Sequence, residues 1–131
     1  MISLNEGIAV DAAQSIKNRK TEFRGVDLKT GKTIFYEDLG NQTINIGEFL
    51  AIVEAVKYII EYDYHPKVIF SDSTTAITWF RNKRTASEKR NPKLMKAEIY
   101  LRAIAYWIDD IQIVKWNNQE WGEIPADFNR K

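Results

Sequence analysis

The spacing of apolar residues changes once along this chain, near residue 45, and that change constrains the fold more than any other feature. Before it, short runs alternate in the manner of half-buried strands. Gly7 to Gln14 reads as a strand, with Ile8 and Val10 on one face and Ala9 and Asp11 on the other. Thr21 to Leu28 is a second, ending at the turn Lys29-Thr30-Gly31-Lys32, and Thr33 to Leu39 is a third, closed by Gly40-Asn41. Such short connections predict an antiparallel meander. From Ile46 to Tyr62 the period becomes helical, with Phe49, Ile52, Val53, Val56, Ile59 and Ile60 on the apolar side. Asn45 is the expected N-cap, with Glu48 three residues on as in a capping box.

Beyond this helix the pattern alternates between strand and helix. Lys67 to Ser71 is a short apolar strand, Thr74 to Asn82 a brief helix and Lys83 to Asn91 a polar, mostly basic stretch. Pro92 opens a helix expected to run through Trp107, since proline suits a first helical turn. Asp110 to Trp116 is a last strand, and Pro125 to Lys131 a short terminal helix. The order β-β-β-α-β-α-α-β-α predicts an α/β fold, a five-stranded mixed sheet flanked by helices, in one domain over 1–131. Strands entered from helices should be parallel, with right-handed crossovers, and chemistry should sit at their carboxyl ends.

Composition narrows the chemistry. The absence of cysteine excludes thiolate metal sites and cysteine nucleophiles, and the single histidine argues against a zinc site of the usual kind. Any metal must be held by oxygen. No basic segment followed by an apolar one opens the chain, and no apolar run approaches the roughly 20 residues of a membrane span. A cytoplasmic protein is expected. The net charge of +1 neither demands nor excludes nucleic acid.

Four acids stand out. Asp11 ends an apolar run, and aspartate is depleted in strands. Glu48 shares a helical stripe with Ile52, Ala55 and Ile59, so it reads either as a cap or as a carboxylate turned towards the sheet, where it would need a partner. Asp72 follows Val68-Ile69-Phe70-Ser71, and Ser73 or Thr74 could cap the next helix in its place. Asp127 lies in Pro125-Ala126-Asp127-Phe128, where an acid also favours a helix start. Four carboxylates without cysteine suggest a hard cation such as Mg2+, with Mn2+ as a substitute. Two such ions roughly 4 Å apart can activate water and stabilise a leaving oxygen in phosphodiester cleavage.

These residues resemble those of a known family. Val10-Asp11, the segment Thr43-Ile44-Asn45-Ile46-Gly47-Glu48, Ser71-Asp72-Ser73 and Ala126-Asp127 look like the Asp-Glu-Asp-Asp centre of type 1 ribonuclease H. The ending from Trp121 to Phe128 is similar to that of a compact bacterial branch, and the match covers essentially the whole chain. The resemblance implies two-metal hydrolysis of the RNA strand of RNA–DNA hybrids, leaving 5′-phosphate and 3′-hydroxyl ends. It assigns the metals to Asp11, Glu48, Asp72 and Asp127. It implies hybrid contacts at Thr43 and Asn45 in the minor groove, near Ala12, Ala13 and Gln14, and at Ser73 and Trp79. The basic residues Lys83, Arg84, Lys89 and Arg90 would follow the phosphate backbone. It implies neither a membrane nor a required protein partner, and a monomer is expected.

Three departures stand beside the match. Asp11 is followed by Ala12-Ala13-Gln14 where many relatives have a glycine-rich turn. The loop before Asp127 carries no histidine, so Glu123, and after it Glu120, is a candidate in its place. Only four residues follow Asp127, which predicts a loosely held last ligand. Tyr100, Tyr106 and Trp107 are expected in the core. The alternatives are another nuclease of the same fold, such as a junction resolvase or exonuclease, and a non-catalytic nucleic-acid binding module.

Overall fold

The computed structural model describes residues 3–86 and 92–128. Strands β1 (Ile8–Ser15), β2 (Lys20–Asp27) and β3 (Lys32–Asp38) precede helix α1 (Ile44–Tyr62). Then come β4 (Val68–Ser71), α2 (Thr74–Asn82), α3 (Pro92–Ala103), a 3-10 turn (Ala105–Ile108), β5 (Gln112–Lys115) and α4 (Asn118–Trp121). The sheet order is β3-β2-β1-β4-β5. β1 to β3 are antiparallel, whereas β4 runs parallel to both β1 and β5. The expected mixed five-stranded sheet is therefore present, with the meander on one side of β1 and the crossover strands on the other.

Alternation along β1 divides the core. Ile8, Val10 and Ala12 face the helices and pack with Phe49, Ile52, Val56 and Ile59 of α1. Ala9 faces the opposite way, into a smaller cluster with Val26, Phe70, Trp116, Ile124 and Ala126. Each fully buried large apolar side chain contributes about 1.5–3 kcal/mol, so the larger cluster dominates stability. The smaller one fastens the C-terminal segment across the second face of the sheet.

Several boundaries differ from the sequence reading. Thr43, not Asn45, caps α1: its hydroxyl accepts from Ile46 N at 3.4 Å, and Asn45 lies exposed in the first turn. Asp11 is inside β1 rather than at its end, because β2 continues to pair as far as Ser15 opposite Lys20. Helix α3 stops at Ala103, and the tighter turn after it buries Ile108 while rotating Tyr106 and Trp107 outwards, 83% and 66% exposed. Those two rings are surface residues, Ile60 is also exposed, and Tyr100 is half-buried against the core. The last helix comes earlier than expected, at Asn118–Trp121. Residues 125–128 form no helix, and 129–131, the rest of the expected one, fall outside the described residues.

Candidate metal centre

The centre begins where two strands part. β1 pairs with β4 only through Ile8–Ile69 and Ala9–Phe70. Beyond that, β1 continues with β2 alone, and Asp11 and Asp72 lie on the two sides of the opening. The N-terminus of α1 packs closely over Ala12 of β1 and Thr21 of β2 beside this opening. Gly47 permits this approach, since a Cβ there would lie 3.0 Å from Thr21 Cγ2 and 3.1 Å from Ala12 Cβ. The Ala12 amide, with no β4 residue opposite it, donates to Glu48 Oε1 at 3.0 Å. Glu48 is therefore not the cap of its own helix but a carboxylate reaching the sheet.

Asp11, Glu48 and Asp72 each offer an oxygen within 4.8 Å of the others. Asp127 joins them in lining one cleft of about 380 Å³, with Ala12, Ala13, Gln14, Ile44 and Phe128. Burial pushes the Asp11 carboxyl up to about 6, with the charges of Asp72 and Asp127 adding to the shift and a hydrogen bond to Glu48 opposing it. Burial, and then Asp11 beside it, holds Glu48 well above the usual carboxylate range. Glu48 Oε2 is buried and meets no hydrogen-bond donor among the described residues. Ionising all these acids together is costly without a compensating positive charge. Clustered oxygen donors, one of them orphaned, fit a hard divalent cation.

The C-terminal segment is anchored rather than loose, which corrects the expectation for Asp127. Arg24 of β2 donates through Nε to the Ala126 carbonyl at 2.8 Å and through a terminal nitrogen to the Asp127 carbonyl at 2.5 Å. Its guanidinium also lies 5.0 Å from the centre of the Phe128 ring, which contacts Tyr36. Ile124 and Ala126 are fully buried on either side of Pro125. Arg24 had no signal in the sequence, because a lone arginine in a strand gives no hint of a partner about a hundred residues away.

Two further residues missed by sequence reasoning serve Asp72. Lys115 Nζ donates to the Asp72 carbonyl at 2.6 Å and to Thr74 Oγ1 at 3.0 Å. Asn118 Nδ2 donates to Asp72 Oδ2 at 3.1 Å. Ser73 caps α2 by accepting from Ala76 N at 3.1 Å, so Asp72 is released from that task.

The implied substrate contacts separate into groups. Ala12, Ala13 and Gln14 line the cleft, and the Gln14 amide donates to the Gln42 carbonyl at 2.9 Å. Thr43 and Asn45 stand on either side of Ile44, the residue of the first turn of α1 that lines the cleft. Trp79 is removed from the set: it is 8% exposed and packs edge-on against Phe49, because the buried side of α2 comprises Ala76, Ile77, Trp79 and Phe80. Arg84 is exposed and Lys83 half-buried, while Lys89 and Arg90 lie outside the described residues. Glu123 and Glu120 are exposed and are not among the residues lining the cleft.

No protein-family model matches the chain. Solved structures do. An RNase H1 isolated from compost by a metagenomic approach, LC11-RNase H1, superposes with a TM-score of 0.57 at 14% identity, covering 86% of this chain and 84% of that one. The same protein in complex with an RNA/DNA hybrid gives 0.53 at 14% identity, covering 86% of each chain. RNase H1 from the halophilic archaeon Halobacterium salinarum gives 0.54 at 16% identity, covering 86% and 85%. The architecture of this chain is thus the ribonuclease H-like fold, with the buried Asp11 and Glu48 and the half-buried Asp72 gathered where β1, β4 and the start of α1 meet.

Proposed function

We propose that this protein is a divalent-metal endoribonuclease that hydrolyses the RNA strand of RNA–DNA hybrids, leaving 5′-phosphate and 3′-hydroxyl ends. The observation that carries the reading is the convergence of Asp11, Glu48 and Asp72 in the cleft that Asp127 also lines. The likeness to an RNase H1 solved with an RNA/DNA hybrid supports the substrate class. In this reading Asp11, Glu48 and Asp72 hold Mg2+ or Mn2+, and Asp127 completes the set for a second ion. A pair of such ions supplies Lewis acidity for water activation and for the leaving oxygen.

The chain's own residues do the rest. Thr43 accepts from Ile46 N with one of its two oxygen lone pairs, and its hydroxyl hydrogen is a separate donor. The exposed Asn45 amide both donates and accepts, as a reader of the ribose 2′-hydroxyl must. Lys83 and Arg84 neutralise backbone phosphates without reading sequence. The protein acts as a cytoplasmic monomer in this reading. Among the described residues no helix is long and apolar enough to cross a membrane.

The test uses a hybrid labelled in its RNA strand. Wild type cleaves it in Mg2+, while Asp72→Asn loses more than the roughly ten- to hundredfold typical of outer-sphere partners. Equal cleavage by both proteins would overturn the proposed centre. Offering single-stranded RNA and four-way DNA junctions in parallel separates this activity from other nucleases of the fold.

A further inference from the structure

The loop between β5 and Asp127 contains two adjacent asparagines with different tasks. Asn117 caps α4, its Oδ1 accepting from Gln119 N and Glu120 N, both at 3.1 Å. Asn118 takes no part in that cap. Its side chain forks in two directions: Nδ2 donates to Asp72 Oδ2 at 3.1 Å, and Oδ1 accepts from Ile124 N at 3.2 Å. A terminal carboxamide offers a donor and an acceptor on one rigid fork, which neither a carboxylate nor an ammonium provides. Ile124 is 1% exposed, and its carbonyl accepts from Asp127 N at 2.9 Å. One side chain therefore connects the Asp72 carboxylate to the turn that carries Asp127.

The base of the loop is stiff. Trp116 N donates to the Ser71 carbonyl at 2.8 Å, and the Trp116 indole donates to the Gly122 carbonyl at 2.8 Å. Lys115 pins the Asp72 carbonyl from the same side. Asn118 acts from this frame on a carboxylate whose Oδ1 it leaves unengaged.

We propose that Asn118 is a positioning residue for the metal centre: it orients Asp72 and sets its distance from Asp127, so that the two acids act as one unit. This rests on the proposed function of the same site. Hydrogen-bonded partners of metal-binding carboxylates typically alter metal affinity by about ten- to a hundredfold.

The experiment compares wild type with Asn118→Ala. Mn2+ binding is measured by calorimetry, hybrid cleavage is resolved into kcat and KM, and thermal unfolding is followed without metal. In Asn118→Ala the Mn2+ Kd is expected to rise about tenfold. The kcat falls at saturating metal, and KM for the hybrid stays within about twofold, because no groove contact is lost. Unchanged Mn2+ affinity and kcat, with only a lower unfolding temperature, would show a loop support and overturn the inference. If the variant does not fold, the wild type still decides: the Asn118 side-chain amide resonances must shift on Mg2+ addition, and fixed resonances overturn the inference. A wild type that neither binds Mn2+ nor cleaves hybrid overturns the underlying function, whereas one that does both and is matched by Asn118→Ala overturns only the role of Asn118.

Discussion

Asp11 links the acid cluster to pH. Its carboxyl, ordinarily titrating near 3.8, is pushed up to about 6 by burial and by the neighbouring acids. The folded chain thus holds this proton more tightly than the unfolded one. The stability from this group is fully present below pH 3.8 and is lost as pH rises through about 6. Without metal, the denaturant midpoint should be higher at pH 5 than at pH 7.5. Mg2+ should restore more stability at pH 7.5, where the carboxylates are free to bind it. A flat pH response that metal leaves unchanged would contradict this account. Asp11→Asn removes a buried charge, so it should stabilise the metal-free protein by about 1–3 kcal/mol while abolishing cleavage. Thermal melts beside the hybrid assay read both effects. At this scale, the acids were visible in the sequence as polar residues at the ends of apolar runs. Arg24, Lys115 and Asn118 were not, because ordinary surface residues acquire meaning only from what folds against them.

The approach of α1 to the sheet depends on Gly47. Replacing it with alanine gains helix propensity, about 1 kcal/mol, but requires both Thr21 and Ala12 to give by a few tenths of an ångström. Net stability of Gly47→Ala should therefore change little. The bond from Ala12 N to Glu48 should loosen, and cleavage should fall with it. Gly47→Val should lose both. Activity and melting temperature that move together in Gly47→Ala would refute this separation. The C-terminal segment makes a parallel case. Arg24→Met keeps much of the side-chain bulk but removes two part-buried hydrogen bonds, each worth about 0.5–1.5 kcal/mol net. It should lower stability by about 1–3 kcal/mol and weaken Mn2+ binding by releasing Asp127, as calorimetry would show. Element type and order followed from periodicity with few errors. The errors came at ends and in the last helix, which forms at Asn118–Trp121: Ser15 is strand because Lys20 pairs with it, and the chain turns after Ile124, whose carbonyl accepts from Asp127 N, with Arg24 holding the Ala126 and Asp127 carbonyls.

Across the whole molecule, charge is divided between the acidic cleft and a basic stretch after α2. The buried Glu98 accepts from Thr85 N at 2.8 Å, anchoring the segment that carries Lys83 and Arg84. Neutralising both in Lys83→Ala/Arg84→Ala should weaken hybrid binding and lower the slope of log affinity against log salt by about 2. The kcat should be kept, since neither residue lines the cleft. An unchanged salt slope would remove the basic segment from the hybrid interface. The sequence alone determined that the first three segments are strands and that a long helix follows them, because strand and helix spacing are local properties of the chain. It also determined that any metal site must be built from oxygen, because cysteine is absent and histidine nearly so. The tertiary structure decided what depends on distant partners: that Trp79 is core while Trp107 is surface, that Glu48 reaches the Ala12 amide instead of capping its helix, and that Asp127 is held by Arg24. Each is settled by packing and hydrogen bonds between residues far apart in the chain, which no local pattern encodes.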